Sequence, residues 1–455
     1  MYRTCLGVGH GSPKIREYKG AIMPHWDAKP QAVTNVRWKG ARGRRSRGTC
    51  VALLSLIGLW GSLGWAPGAV SALPIDYFAL GDSVASGYGL ADDQTACRQS
   101  MLAYPWLLYE RLQRTLVVQQ FDLLACSGTT TGTLDRQVSE VLSRLSAHPT
   151  LLTLTVGAND FGWSDVFAFA QNLCTPEDEV FDAWLEGVAQ TVEDNLVGQL
   201  GRLLAYPQVE VILTDYYNPT NTSGAFWERV HPRCLFINVH ERSEDVVHAL
   251  NAAIMQAWQR MGSPRFVKVA TVHDAFRGYE APRPWCGTAP PDIDETWIQY
   301  PTDPDSNATP VGGDCFHVNR AGAAQFAEAV TRLVPADLGL PLRLLVNDSS
   351  LAPGETLALT VTITPESTPM VVDLYVALQL PDQSVWFLRG DGSFTSAIQP
   401  YLSQWPVAAS RAELFRYIFT GAEPSGNYVW LAAFIDANTG MIVGSIAQAP
   451  FTFSP

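Results

Sequence analysis

Four short blocks, far apart in the chain, hold residue types that ester hydrolysis requires. They are Asp76-Tyr-Phe-Ala-Leu-Gly-Asp-Ser83, Ala125-Cys-Ser-Gly-Thr-Thr-Thr131, Thr155-Val-Gly-Ala-Asn-Asp160 and Asp314-Cys-Phe-His-Val-Asn319. A serine hydroxyl is a weak nucleophile until a neighbouring base takes its proton. Ser83 is the candidate nucleophile and His317 the candidate base. Asp314, three residues before His317, can accept its Nδ1–H and so leave Nε2 free to take the Ser83 proton. Attack on a carbonyl builds negative charge on the oxygen, and the Ser83 N–H, the Gly128 N–H and the Asn159 amide are donors able to meet it. Glycine suits position 128 because a side chain there would block approach to the oxygen. Asn159 must be an amide, since a carboxylate would repel the oxyanion.

Each of these residues also has a plainer use. Serine commonly caps helices, and Gly128 and Asn159 fit ordinary turns; the four blocks together favour the chemical reading. Beyond residue 72 the histidines are His148, His231, His240, His248, His273 and His317. His240 and His248 fall in or beside a helical run and need no special role. His273 follows an apolar run and has Asp274 beside it, which makes it the rival base. Asp82 adjoins Ser83 on an extended segment, where neighbouring side chains point apart, so it is expected to be a structural hydrogen-bonding group.

The blocks need a rigid frame. Apolar runs at 76–80, 117–125, 151–157, 209–215 and 266–271 read as buried strands. Between them, 104–114, 133–146, 188–204 and 246–261 place apolar residues at helical spacing, and 321–334 reads as a closing helix. Continuous apolar strands separated by helices predict a parallel sheet covered on both faces, a three-layer α/β domain. Ligands of such sheets bind beyond the carboxyl ends of the strands, where Ser83, Gly128 and Asn159 fall. Residues 278–313 are rich in Pro, Gly and Asp and have no period, as in a binding wall or an insertion. Within them, Asp303-Pro-Asp-Ser-Asn307 lacks the glycine and glutamate of a calcium loop and reads as turn chemistry.

The pattern changes near 338–341. Leu357, Leu359, Val361 and Ile363 alternate with polar residues, as do Val372, Leu374, Val376, Leu378 and Leu380, and then Tyr428, Trp430, Ala432 and Phe434. Period-two segments broken by Pro-Gly and Pro-Asp turns predict an antiparallel β-sandwich. The expected division is therefore 1–72 upstream extension and export signal, 73–337 hydrolase-type domain and 342–455 sandwich, with few contacts crossing the linker. Trp386, Trp405 and Trp430 could form a sugar-binding platform, but Trp430 is in phase with core residues and core packing is the expectation.

The order and local sequence of the four blocks resemble the SGNH (GDSL-type) serine hydrolase family. The resemblance covers roughly 75–333. Cys97-Arg-Gln-Ser100 and Ala103-Tyr-Pro105 add similarity to its secreted actinobacterial-type lipase/esterase branch. Val84 stands where the family name expects leucine. The resemblance implies a flavodoxin-like fold and a secreted, cofactor-free carboxylic-ester hydrolase. Its triad would be Ser83, Asp314 and His317, its oxyanion hole Ser83, Gly128 and Asn159, and its substrate a lipid ester, a small ester or an acylated glycan. The alternatives are a polysaccharide or glycan O-deacetylase using the same site, and a non-catalytic surface-binding protein on a hydrolase fold.

Composition fits an exported, well-cored protein. Hydrophobic residues make up 47% and charged residues 16%, so the chain can bury a sizeable core. The net charge is −13, yet residues 1–50 carry eleven Lys/Arg against two Asp/Glu, which leaves −22 on the remainder. That field disfavours a nucleic-acid partner. The apolar run 51–65 follows Arg42, Arg44, Arg45 and Arg47 and precedes Val70-Ser-Ala72. This is the build of an export signal rather than a lasting membrane span, and places the protein outside the cell, in the periplasm or at the cell surface. Beyond the signal, Cys97, Cys126, Cys174, Cys234, Cys286 and Cys315 form an even set. No Cys-x-x-Cys or His-x-x-x-His spacing supports a metal, so disulfides are expected. Fifteen pairings are open to six cysteines. The simplest joins neighbours, as the secreted relatives look to do: Cys97–Cys126, Cys174–Cys234 and Cys286–Cys315. The sandwich is a candidate for holding a polymer or a cell surface.

Overall fold

The computed structural model describes residues 73–455 except 93–94, 221–230, 265, 280–295, 301–302, 308–313 and 366–369. The segment expected to direct export, Cys286 and most of the 278–313 stretch lie outside the described residues. Among the described residues no helix is long and apolar enough to cross a membrane.

The first half is an α/β unit. In chain order its elements are β1 (Ile75–Gly81), α1 (Ser83–Ser86), α2 (Tyr104–Leu112), β2 (Val118–Leu123), α3 (Asp135–Arg144), β3 (Thr150–Thr155), α4 (Val166–Leu173) and α5 (Asp178–Leu204). They are followed by β4 (Val209–Thr214), α6 (Val239–Arg260), β5 (Val267–Ala270), α7 (His273–Phe276) and α8 (Arg320–Thr331). The five strands form one sheet in the order β2-β1-β3-β4-β5, every pair parallel. β1, β3 and β4 are buried along their whole length, as expected of strands covered by helices on both faces. The connection order reverses between β1 and β3, so the crevice of this flavodoxin-like sheet opens there.

Strand positions follow the apolar runs to within a few residues, but two helices are longer than their periodicity suggests. α5 begins at Asp178 rather than 188, because Phe181 continues the buried face N-terminal to Gly187. α6 begins at Val239 rather than 246, where the Asn238 side chain caps it by accepting from the Glu241 N–H.

Among the described residues the second half is built of strands: β6 (Leu342–Val346), β7 (Ser350–Leu351), β8 (Thr356–Ile363), β9 (Val371–Gln379), β10 (Val385–Leu388), β11 (Phe394–Thr395), β12 (Leu402–Pro406), β13 (Ser410–Ile418), β14 (Gly426–Asp436) and β15 (Ile442–Phe453). One sheet runs β11-β10-β9-β14-β15-β7 with β12 also on β9; the other runs β13-β8-β6. Pairing is antiparallel apart from the parallel β15–β7 edge. The alternating residues Leu357, Leu359, Val361, Val372, Leu374 and Val376 form the core between the sheets, with Trp430 fully buried among them. Trp430 therefore serves packing, and Trp386 and Trp405 are partly buried against the same core.

The few contacts that cross the linker include buried polar ones. Arg343 of β6 forms an ion pair with Glu210 of β4, each side chain only 4% exposed, and a second with Asp337 at 3.0 Å. Arg411 of β13 donates to the Val209 carbonyl at 3.0 Å and lies 3.8 Å from the Phe266 ring centroid. Burial pulls the Arg411 guanidinium down to about 10. Val209, Glu210 and Phe266 lie at the amino ends of β4 and β5, so the sandwich docks at the end of the sheet opposite the crevice.

Candidate active site

β1 ends at Gly81 with φ +135°, and the chain turns at once into α1. A Cβ on Gly81 would lie 2.1 Å from the Thr155 carbonyl oxygen of β3, so only glycine lets the two strand ends approach. Asp82 caps α1 by accepting from the Val84 N–H at 2.9 Å and also accepts from the Tyr216 hydroxyl. Burial lifts Asp82 to about 6 despite these bonds. Its side chain is committed to holding the turn, as its position beside Ser83 suggested. Ser83 is the first residue of α1, with its Oγ at the carboxyl edge of the sheet.

The last block meets it there. His317 Nε2 lies 2.7 Å from Ser83 Oγ, and His317 Nδ1 lies 2.6 Å from Asp314 Oδ2. The other Asp314 oxygen accepts the Phe316 and His317 N–H groups, each at 3.0 Å, which curls the four residues into a single turn. Cys315 takes φ +65° to complete it. Burial alone would raise Asp314, but the charge and hydrogen bond of His317 outweigh it and hold the carboxyl below its ordinary value. For His317, burial lowers and Asp314 raises; Asp314 prevails, and the imidazole sits above its usual 6.5. The arrangement can move a proton from the serine hydroxyl to the imidazole and stabilise the cation formed.

Gly128 and Asn159 line the same cavity of about 250 Å³, together with Val84, Tyr88, Trp163, Tyr217 and Phe316. Asn159 lies on a short 3-10 turn after β3, and one of its amide hydrogens is given to the Thr129 carbonyl at 2.9 Å. The second remains to donate. Gly128 adopts φ +83°, and a Cβ there meets no protein atom within 4 Å. The positive φ favours glycine here, and no protein atom crowds the position. Thr131 ties the two blocks together, since its N–H and hydroxyl both donate to Asp160, at 2.9 and 2.6 Å.

Two of the expected disulfides are present, Cys97–Cys126 and Cys174–Cys234. Cys315 is disulfide-bonded, while its expected partner Cys286 lies outside the described residues. Cys97–Cys126 sits directly before the Gly128 turn, where the Ser127 N–H donates to the Cys97 carbonyl at 3.0 Å. The rival base, His273, is not at the cavity; its Nε2 lies 3.0 Å from Glu244.

Two buried glutamines went unnoticed in the sequence. Gln137 of α3 accepts from the Gly81 N–H at 2.7 Å and donates to the Gly81 carbonyl at 2.9 Å and to the Thr129 hydroxyl at 3.0 Å. It clamps the turn before Ser83 to the Gly128 turn. Gln299 supports the histidine: its N–H donates to the His317 carbonyl at 2.8 Å and its amide to the Tyr88 carbonyl at 2.8 Å. A lone glutamine in a helix or loop carries no motif, so only the tertiary structure reveals either.

Residues 79–325 match the sequence profile of the GDSL-like lipase/acylhydrolase family. No curated protein matches the chain. Among solved structures, the chain is similar to a gut microbial diltiazem-metabolizing enzyme at 12% identity and TM-score 0.37, covering 66% of this chain and 59% of that one. It is also similar to an acetyl-xylooligosaccharide esterase from Geobacillus stearothermophilus at 16% identity and TM-score 0.30, covering 58% and 95%. A lipase/acylhydrolase from Enterococcus faecalis aligns at 16% identity and TM-score 0.31, covering 56% and 93%.

Proposed function

Because this chain belongs to the GDSL-like lipase/acylhydrolase family, we propose that it is an exported carboxylic-ester hydrolase working through Ser83, His317 and Asp314. The observation that carries the reading is the unbroken chain Ser83 Oγ–His317 Nε2–His317 Nδ1–Asp314 Oδ2, with links of 2.7 and 2.6 Å, inside a cavity lined by Gly128 and Asn159.

The steps follow from the geometry. Ser83 Oγ attacks the ester carbonyl carbon while His317 Nε2 takes its proton. The carbonyl π electrons move to oxygen, where the Ser83 N–H, the Gly128 N–H and the free Asn159 N–H hold the charge. Collapse of the tetrahedral intermediate breaks the bond to the alcohol oxygen, which leaves with the proton from His317. Water, deprotonated by the same imidazole, then attacks the acyl-serine and releases the acid, restoring Ser83. Asp314 stays ionised throughout and keeps Nδ1 protonated. The apolar wall of Val84, Tyr88, Trp163, Tyr217 and Phe316 suits an acyl chain or an apolar alcohol.

Export is supported by the disulfides, which persist in oxidising compartments, and by the Arg-rich and apolar segment at 42–65. Every described cavity-lining residue precedes the sandwich, so the sandwich would place the enzyme on a polymer or surface rather than shape its pocket. Turnover of p-nitrophenyl acetate and butyrate by the purified protein tests the activity. Hydrolysis that disappears in His317→Ala supports it, and a folded protein that turns over neither ester, nor an acetylated glycan, overturns it.

A further inference from the structure

Glu244, His248 and His273 converge on the carboxyl side of β4 and β5, outside the ester cavity. Glu244 and His248 are four residues apart on α6 and so share one face. His273 opens α7, directly after β5. Both imidazoles aim Nε2 at the same carboxylate oxygen: His273 Nε2 lies 3.0 Å and His248 Nε2 3.4 Å from Glu244 Oε1, and all three candidate donor atoms lie within 4.8 Å of one another. Zinc bonds of about 2.0–2.2 Å in a tetrahedron set the donor atoms about 3.3–3.6 Å apart. The trio is therefore near the spacing a tetrahedral ion requires, and small rotations of exposed His248 would complete it.

The surroundings hold these donors in place. Asn218, itself 5% exposed, donates to Glu244 Oε2 at 2.7 Å and so fixes the carboxylate with Oε1 inward. The same Asn218 accepts from the Ser243 hydroxyl and from the Thr220 N–H and hydroxyl. Asp215 accepts the N–H groups of Val272 and His273, pinning the turn that carries the second imidazole. Asp274 Oδ1 lies 3.5 Å from His273 Nδ1, on the side of the ring away from Nε2.

We propose that Glu244, His248 and His273 form a divalent transition-metal site, with zinc as the best-suited ion and water in the fourth position. Two imidazoles and one carboxylate select such an ion over calcium or magnesium, which prefer oxygen donors. The site links α6 to the β5–α7 turn. None of the three residues lines the ester cavity, so the ion stabilises this corner of the sheet and takes no part in acyl transfer. Ligands binding only the folded state raise its stability by mass action.

The test is zinc titration of the tag-free, chelator-stripped protein against a chromophoric chelator at about pH 7.5, with thermal melts beside it. The parent protein should bind Zn²⁺ and melt higher with it than without it, while Mg²⁺ should do neither. His248→Ala and His273→Ala should each weaken binding by about 100-fold or more and abolish the melting shift. His248 is exposed and helical, so His248→Ala remains informative even if His273→Ala fails to fold. A parent protein that binds no Zn²⁺, or a folded His248→Ala that binds as tightly as the parent, overturns the proposal.

Discussion

Replacing Gln137 with leucine should loosen the nucleophile turn without touching any reacting atom. The change removes three buried hydrogen bonds, at 2.7, 2.9 and 3.0 Å, but their losses are unequal. The Gly81 carbonyl still accepts the Cys126 N–H at 3.0 Å, and the Thr129 hydroxyl still donates to the Cys126 carbonyl at 2.7 Å. Only the Gly81 N–H loses its partner outright, at a cost of about 1–3 kcal/mol for an orphaned buried donor. With about 1 kcal/mol for the two partly compensated bonds, the expected destabilisation is about 2–4 kcal/mol, read by urea unfolding. Gly81 is two residues from Ser83, and a shift of about 1 Å in a reacting group costs on the order of 100-fold in rate. The loss should therefore appear in kcat, with KM little changed, because the cavity wall is intact. Gln137→Glu keeps an acceptor for the Gly81 N–H but sets a carboxylate against the Gly81 carbonyl, and should fall no higher than the leucine variant in kcat. A Gln137→Leu protein with parental stability and kcat would refute the clamp.

Other consequences are as direct. Arg343→Met strands the buried Glu210 carboxylate and should cost about 3–5 kcal/mol, whereas Arg343→Met with Glu210→Leu should recover most of it; a double variant as unstable as the single would exclude stranded charge as the cause. Asn159→Ala should lower kcat by about 10²–10³ with the protein folded, and an unchanged kcat would remove Asn159 from the oxyanion site. Only neutral His317 can accept the serine proton, so kcat/KM should rise with pH through a midpoint above 6.5, since the histidine is raised in the fold. In Asp314→Asn the opposing effect of burial is left in command and the midpoint should move down; a midpoint that does not move means the limb reports another group.

The parts of the site that can be read from the sequence are those encoded by local spacing. Asp314 and His317 share a turn whatever the rest of the chain does, and Ser83 and Asn159 follow apolar runs that can only be buried strands. The sheet brings them together, and alternation in 357–363 and 372–380 marks the sandwich core equally well. What the sequence hides depends on distant partners. Gln137 and Gln299 look like ordinary polar residues until their side-chain amides meet the backbone of Gly81 and of Tyr88 and Val318. Arg343 lies within an alternating strand, and nothing local points to Glu210. The first turns of α5 were hidden by Gly187, which punctuates a helical pattern that packing carries through. Glu244 and His248 do have helical ligand spacing, but His273 completes the trio only through the fold.

The central claim is that Ser83 is the nucleophile of a covalent cycle. The most direct measurement is intact-protein and peptide mass spectrometry after exposure to a p-nitrophenyl alkylphosphonate, which mimics the tetrahedral intermediate and traps an activated serine. The account predicts one phosphonyl adduct per chain on the peptide containing Ser83, with loss of ester turnover in step. It predicts no adduct in Ser83→Ala or His317→Ala. Labelling of a different residue, or a folded Ser83→Ala protein that still hydrolyses ester at the parental rate, would contradict it.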